Sequence, residues 1–530
     1  MHDSTRFGWW PAFLQRLRAE DLRIEDADRQ LPPARVLSVS VSDWLALGRE
    51  AKAWGMRWSA LWAEDADERL RLNSCLEFHG DYLLARCWLD AEAPRAASWV
   101  SFYPAADCPE RHARDLYGIH FEGHFDERRW TRHKGWGADR YPLRKDFPLA
   151  GQGEEFCPPD VDYPFVQAQG SGVYEIPVGP IHAGIIEPGH FRFQAVGEAV
   201  LNLERHLGYT HKGIEKLGEG RDAAALARLA GRVSGDTTIG HAWAACMAME
   251  RAAGREPSPR AVALRAVMAE RERVANHLGD IGAVCNDVGF AFAHYQLSRL
   301  REHWLRGSLD AFGHRLMMDR VIPGGVAVDP TPEAVDRMLV HVDALRRELR
   351  GIMTILAGQE SLRDRLETTG VLHPTIAEEL GCLGYVGRAS GRRFDVRRDA
   401  PYAPYDMLDV SIPVFEEGDV SARMRIRAEE AFASLNLQEA LLSDLPGGDA
   451  KNSWVGPGEG AEGFAAVEGW RGEIVTYVKF GREGRVERFY PRDPSWLNWP
   501  AIDHLIRGNI VPDFPVCNKS VNGSYSGQDL

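Results

Sequence analysis

Three stretches bring polar and titratable side chains close enough in sequence to do chemistry together. In residues 231–242, GRVSGDTTIGHA, the hydroxyl residues Ser234, Thr237 and Thr238 stand among Arg232, Asp236 and His241, directly ahead of an apolar helical run. Such residues accept hydrogen bonds from the free N–H groups of a helix's first turn, so capping is one role open to them. In residues 176–192, IPVGPIHAGIIEPGHFR, the side chains His182, Glu187 and His190 fall within nine positions in an otherwise apolar loop. A carboxyl group between apolar neighbours has its pKa raised, which suits proton relay; a hydrogen-bonded structural loop is the alternative. Further on, Glu270, Arg273, His277, Asp280 and Asp287 form an ionisable stripe beside an apolar one of Leu264, Val267, Met268, Val274, Leu278, Ile281 and Cys285. Ordinary charge patterning makes such a stripe a solvated face.

These groups need elements to hold them. Residues 1–30 read as an amphipathic, charged helix with Trp9 and Trp10 at its start. Residues 35–42 alternate as a strand, and residues 42–54 form a helix with Ser42 as its cap. Residues 75–81 and 82–90 pair around His79-Gly80-Asp81, and 97–103 add a strand. Residues 151–172 are rich in Gly, Pro and acids, which marks a linker. Residues 191–204 make a β-ribbon through Gly197-Glu198. In LGYTHKGIEKLGEG, residues 207–220, Glu215 follows His211 by four positions on a predicted helix, which puts both on one side. Ser258-Pro259 opens a long helix as cap and first residue. More helices follow at 291–320, from Thr331 and over 421–445, with 380–405 irregular and basic. The strand 474–480 comes after Arg471-Gly472-Glu473.

The chain has 530 residues, of which 44% are hydrophobic, so it can bury sizeable cores. Its net charge of −14 argues against general nucleic-acid binding, which wants a basic footprint. No uncharged apolar run is long enough for a membrane span, and the N-terminus has no signal-peptide pattern, so a cytoplasmic protein is expected. The eight cysteines contain no C-x-x-C pair, which offers no local zinc or iron–sulfur site. No G-x-G-x-x-G follows a predicted strand, so NAD binding by this chain has no motif of its own.

The spacing Arg232-x-Ser234-Gly235-x-Thr237-x-x-x-His241 resembles the first nickel-binding motif of [NiFe]-hydrogenase large subunits, R-x-C-G-x-C-x-x-x-H. Residues 520–527, SVNGSYSG, fall on the second motif, S-x-D-P-C-x-x-C. The four cysteine positions are thus Ser234, Thr237, Ser524 and Gly527. PERHARDLYGIHFEGHF (109–125) and YPLRKDFP (141–148) are similar to the 30-kDa-type subunit of respiratory complex I, with His112 where that family has an acid. The frame G-Y-x-H-K-G-x-E-K-L is shared with complex I and energy-converting hydrogenases, and the Arg471 hairpin matches the family's R-G-E hairpin. The run R-x-x-N-H-L-x-D-I-G resembles the energy-converting hydrogenases, a setting that implies an internal helix with its ionisable stripe near the ancestral active site. The loop carrying Glu187 resembles the one that passes protons to the metal in the membrane-bound hydrogenases.

The resemblance implies an α+β chain in three parts. They are a small α/β scaffold module over 1–150, the linker 151–172, and over 173–530 a hydrogenase large-subunit-like fold with a central helix bundle and peripheral β-ribbons. It implies a peripheral-arm subunit of a membrane-bound, ion-translocating oxidoreductase complex on the inner face of the cell membrane. Soft thiolates hold nickel and iron, and neutral hydroxyls replace them poorly, so no metal centre and no active hydrogenase are expected. Ser234, Thr237, Ser524 and Gly527, with Asp236 and His241, would line the former metal cavity. Glu187, His182, His190 and Arg471 would serve there in proton relay. A quinone is one electron acceptor this setting allows, although the segment RDAAALA lacks the tyrosine that contacts the quinone head in complex I. A [4Fe–4S] cluster would sit on a small iron–sulfur partner, beside antiporter-like membrane subunits. A non-catalytic subunit bridging those partners is the competing expectation.

Overall fold

A computed structural model describes residues 8–132, 137, 140–151, 163–182 and 186–530. The linker expected at 151–172 lies partly outside these residues. Within 163–172, Tyr163 accepts a hydrogen bond from Arg111 at 2.8 Å and stacks on His206 at 3.9 Å.

The first unit has helices α1 (Trp10–Ala19), α2 (Trp44–Ala53) and α3 (Asp107–Tyr117). Its strands are β1 (Ile24–Glu25), β2 (Gln30–Leu31), β3 (Ala34–Val39), β4 (Arg57–Asp65), β5 (Arg69–Phe78) and β6 (Asp81–Asp90), with a small pair β7 (Arg95–Ala97) and β8 (His120–Glu122). The main sheet runs β1-β3-β6-β5-β4, with β2 on β3; β3 and β6 are parallel and the remaining pairs antiparallel. His79 and Gly80 both take positive φ, the turn a tight hairpin requires. The helix expected over 1–30 is confined to α1, because the chain turns at Asp21 with φ 58° and enters β1. Ser42 does not cap α2: a short 3-10 turn over Val41–Asp43 precedes that helix.

The larger unit begins with the antiparallel ribbon β9 (Val173–Val178), β10 (His190–Val196) and β11 (Ala199–His206). Helices α4 (Ile214–Gly218), α5 (Ala223–Ala230), α6 (Thr238–Ala252), α7 (Pro259–Asp287) and α8 (Ala291–Phe312) follow. After the short pair β12 (Val321–Ile322) and β13 (Gly325–Val326) comes α9 (Pro332–Ala357). Four short helices, α10 (Glu360–Leu366), α11 (Pro374–Glu379), α12 (Gly384–Arg388) and α13 (Val396–Asp399), occupy the stretch read as irregular from 380 onward and its approach. Then come α14 (Val420–Ser443), the sheet β14 (Glu462–Gly469), β15 (Gly472–Phe480) and β16 (Val486–Arg492), and the terminal helices α15 (Ser495–Asn498), α16 (Pro500–Leu505), α17 (Phe514–Val521) and α18 (Tyr525–Asp529). Among the described residues no helix is long and apolar enough to cross a membrane.

Helix α7 starts as read, with Ser258 accepting the Ala261 N–H and Pro259 in the first turn. It packs against α8 and α14 and is buried nearly all round. Most of its ionisable stripe is therefore internal, and each buried charge there has a partner. Glu270 meets Arg397 at 3.0 Å, His277 meets Glu430 at 2.8 Å, and Asp280 meets Arg427 at 3.0 Å. Only Asp287 at the end is exposed.

The two units share a seam. Trp62 on β4 stacks on Tyr490 of β16 at 5.0 Å. Arg57 grips Glu473 of β15 with both guanidinium nitrogens (2.7 and 3.2 Å), and Ser59 and Tyr82 donate to the same carboxylate at 2.8 and 2.7 Å. His211 and Glu215 do not share a helix face, because α4 begins only at Ile214. His211 bonds the Asp529 carbonyl at 2.6 Å. Glu215 is buried between Arg488 and His112, whose Nε2 lies 3.0 Å away. The histidine that stands for an acid in α3 thus finds its acid on α4.

Candidate functional site

The loop before α6 delivers Ser234, Asp236 and Thr237 to one end of a cavity. Their side chains do not cap α6. The Glu272 carboxylate of α7 accepts the Ile239 and Gly240 N–H groups at 2.8 and 3.1 Å instead. The hydroxyls are left free to bond one another. Ser234 donates to Asp236 Oδ1 at 2.8 Å, so in its 2.8 Å bond with Ser524 it must accept. Ser524 in turn accepts the Gly527 N–H at 2.9 Å, and Thr237 donates to Asp236 Oδ1 at 2.9 Å. One polarised chain, Gly527 to Ser524 to Ser234 to Asp236, with Thr237 beside it, joins the four predicted positions across almost 300 residues of sequence.

Arg471, at the β14–β15 turn, forks onto Asp236 at 2.7 and 2.6 Å and donates through Nε to the Asn522 carbonyl at 2.7 Å. Its guanidinium lies over the Trp470 ring at 3.9 Å, and the Trp470 indole N–H reaches Thr237 Oγ1 at 3.0 Å. Burial pushes Asp236 up, but the Arg471 charge outweighs it and holds the carboxyl below its usual range. Asp236 is therefore a fixed anion at neutral pH.

The cavity holds about 540 Å³. Val178, Ile186, Phe191 and Phe514 make its apolar wall; Ser234, Asp236, Arg471 and Ser524 make its polar end; His182, Glu187, Lys519 and Asp287 complete it. His182 is half-buried, its Nε2 has no hydrogen-bond partner, and burial lowers its pKa, so it is a neutral imidazole facing the site. Residues 183–185 of this loop lie outside the described residues.

Five of the predicted site residues take different places. Gly527 is buried behind Ser524 and does not line the cavity. Glu187 is exposed, not desolvated by apolar neighbours, and its carboxylate accepts the Ser526 N–H at 2.9 Å at the cavity wall. His190 does not line the cavity: it is buried with Nδ1 on the Gly179 carbonyl at 3.1 Å and its ring against Phe165. His241 is buried behind the site and bonds Asp493 at 2.8 Å. Burial raises Asp493, but His241 and Arg471 reverse this and hold it well below the usual carboxylate range. Thr237 is fully buried and reaches the cavity through its bonds to Asp236 and Arg471, at 2.9 and 3.2 Å.

Sequence reasoning missed Glu272, Asp493 and Lys212. Lys212 donates to the Ser526 carbonyl at 2.8 Å and ties the G-Y-x-H-K-G loop to this wall. That frame was the available signal for Lys212. For Glu272 and Asp493 no local signal exists, because their partners are distant in sequence.

The donor set does not fit a nickel–iron centre. Soft metals want thiolates, and here neutral hydroxyls already satisfy one another. The fourth position has no room either: a Cβ on Gly527 would stand 2.6 Å from Asp493 Cγ. Among the described residues no group of three or more His, Cys, Asp or Glu side chains could hold a metal ion.

Two protein families match the chain. The family described as respiratory-chain NADH dehydrogenase, 30 Kd subunit, matches residues 37–153, and that of the 49 Kd subunit matches residues 287–457. Formate hydrogenlyase subunit 5 of Escherichia coli (strain K12) is 31% identical over 454 residues, which span 84% of this chain and 79% of that protein. The chain belongs to the energy-converting hydrogenase and complex I large-subunit family. Within this family, an NADH-quinone oxidoreductase subunit of Bacteroides thetaiotaomicron is 31% identical over 87% of this chain and 91% of its own length. A chain in the structure of the membrane-bound sulfane sulfur reductase, an archaeal respiratory membrane complex, superposes with TM-score 0.63 at 28% identity over 68% of this chain and 99% of that one. The family membership agrees with the resemblance read from the sequence and with the α+β fold class.

Proposed function

We propose that this chain is the peripheral-arm subunit of a membrane-bound, ion-translocating oxidoreductase complex, in which the former metal cavity takes an organic electron acceptor of the quinone class. The observation that carries this is a cavity lined by two of the four ligand positions, Ser234 and Ser524, with Thr237 and Gly527 hydrogen-bonded just behind them. Its size falls in the range of small-molecule sites, about 300–1,000 Å³, and it opposes an apolar wall to a donor-bearing polar end. A fold kept only as a bridge has no need of such a hollow. Electrons would come from a cluster on a neighbouring small iron–sulfur subunit. Reducing a quinone to a quinol takes up protons, and this chain's residues can deliver them. Glu187 stands exposed at the wall, and the unpartnered Nε2 of His182 faces the site. Asp236 and Arg471, fixed as a pair, orient the acceptor and do not titrate in the working range.

The test is ion uptake by vesicles containing the intact complex, wild type against Glu187→Gln, with assembly checked on a native gel. Gln keeps the shape and loses the titration, so uptake should fall sharply while the complex stays assembled. Unchanged uptake with full assembly rejects the relay and favours a purely structural subunit.

A further inference from the structure

A second cleft, larger than the first at about 650 Å³, opens where the first unit meets the 374–399 segment. Its walls come from α2, the β5–β6 hairpin and Tyr103 on one side, and from Glu378 to Asp399 on the other. The seam beneath it is fixed, since the Gly80 backbone passes so close to the Asp399 carbonyl that no side chain would fit there.

The charges around this cleft are not all committed. Arg57 is spent on Glu77 and Glu473, at 2.9 and 2.7 Å. Asp399 is engaged by Arg398 at 2.9 Å. Arg392 reaches Glu378 only at 3.4 Å through Nη1, and its buried Nε has no partner. Two further donors on the lining residues are buried without partners: the Tyr103 hydroxyl and the Trp58 indole N–H, on side chains 3% and 2% exposed. Lys52 lies over the Tyr103 ring at 5.3 Å, and Arg393 is exposed at the rim. Against these stand Glu378 and Glu379, both exposed, and His79 on the hairpin turn. The groups left unsatisfied on the inner wall all offer hydrogens. Buried donors without acceptors are costly, and an oxyanion supplies what they lack. The rings of Phe78, Tyr103 and Phe394 give such an ion an apolar body to rest on.

We infer that this interdomain cleft binds a small organic oxyanion, a carboxylate or phosphate group on a flat apolar body, held by Arg392, Tyr103 and Trp58. It stands apart from the proposed electron-acceptor cavity and depends on none of its residues.

The test is calorimetric titration of the full chain with benzoate and, separately, inorganic phosphate. Saturable binding of at least one is expected, and which one binds tells a carboxylate from a phosphate ligand. Arg392→Gln should weaken it about tenfold, the worth of one charge-assisted bond. Tyr103→Phe removes a hydroxyl that bonds nothing in the protein, so it should leave the melting temperature unchanged and still weaken binding severalfold. Glu187→Gln, in the other cavity, should have no effect. No binding of either probe, or binding unchanged in Tyr103→Phe, overturns the inference even if Arg392→Gln does not fold.

Discussion

Replacing Gly527 by cysteine restores the residue that the hydrogenases carry at that position, and it should damage this protein. The new Cβ would stand 2.6 Å from Asp493 Cγ and 2.7 Å from Oδ2, so the carboxylate has to move. Moving it strains two bonds, the 2.8 Å contact with His241 and the 2.8 Å bond from the Ser495 N–H. Each is a hydrogen bond to a charged group, worth about 1.5–3 kcal/mol, so losing both costs about 3–6 kcal/mol. Gly527 does not have positive φ, so the backbone adds no strain of its own. Gly527→Ala should therefore cost nearly as much as Gly527→Cys, whereas Ser234→Cys, which weakens one bond to the Asp236 carboxylate and one to Ser524 but displaces no carboxylate, should cost less, about 1.5–3 kcal/mol. Thermal unfolding followed by near-ultraviolet circular dichroism reads the order directly. If Gly527→Cys and Gly527→Ala melt with wild type while Ser234→Cys does not, Asp493 does not fill the fourth ligand position and the steric argument fails.

Two more outcomes follow from buried pairs. His112→Glu would return to the family's acid and set it against Glu215, 3.0 Å from the present imidazole, destabilising the chain by about 3 kcal/mol or more; adding Glu215→Gln should recover part of the loss in a double-mutant cycle. Glu215, Glu270 and Glu473 are pushed up by burial but held down at about 2 by Arg488, by Arg397 and by Arg57, respectively, from an ordinary 4.5. Their unfolded forms bind protons more readily, so their contribution is complete above about pH 4.5 and is lost as pH falls towards about 2. The melting temperature should decline steeply below that upper value, and a flat profile down to about pH 3 would contradict the assignment.

What the sequence makes legible here is what is local or carried by a retained frame. The His79-Gly80 hairpin and the Ser258-Pro259 helix start are fixed by residues next to one another. The four ligand positions could be found only because two short motifs keep their spacing. Their union is a matter of folding, since Ser234 and Ser524 meet across 290 residues. The same distance hides the Glu272 carboxylate that takes over the capping role, so the hydroxyls of Ser234 and Thr237 look like caps until the fold is known. The exposure of Glu187 is hidden for a related reason: apolar neighbours in sequence do not bury a carboxylate when its loop lies along an open cavity. The seam from Arg57 to Glu473 joins residues more than 400 apart and has no sequence signature.

The central claim is that a hydrogen-bonded run of hydroxyls and an aspartate stands where the family holds nickel and iron. The most direct measurement is the nickel content of the native complex, purified from cells that also mature an active hydrogenase. The account predicts no stoichiometric nickel at this subunit, because Ser234, Thr237 and Ser524 offer no thiolate and Gly527 no side chain. About one nickel per chain, removed by Ser234→Ala, would contradict it.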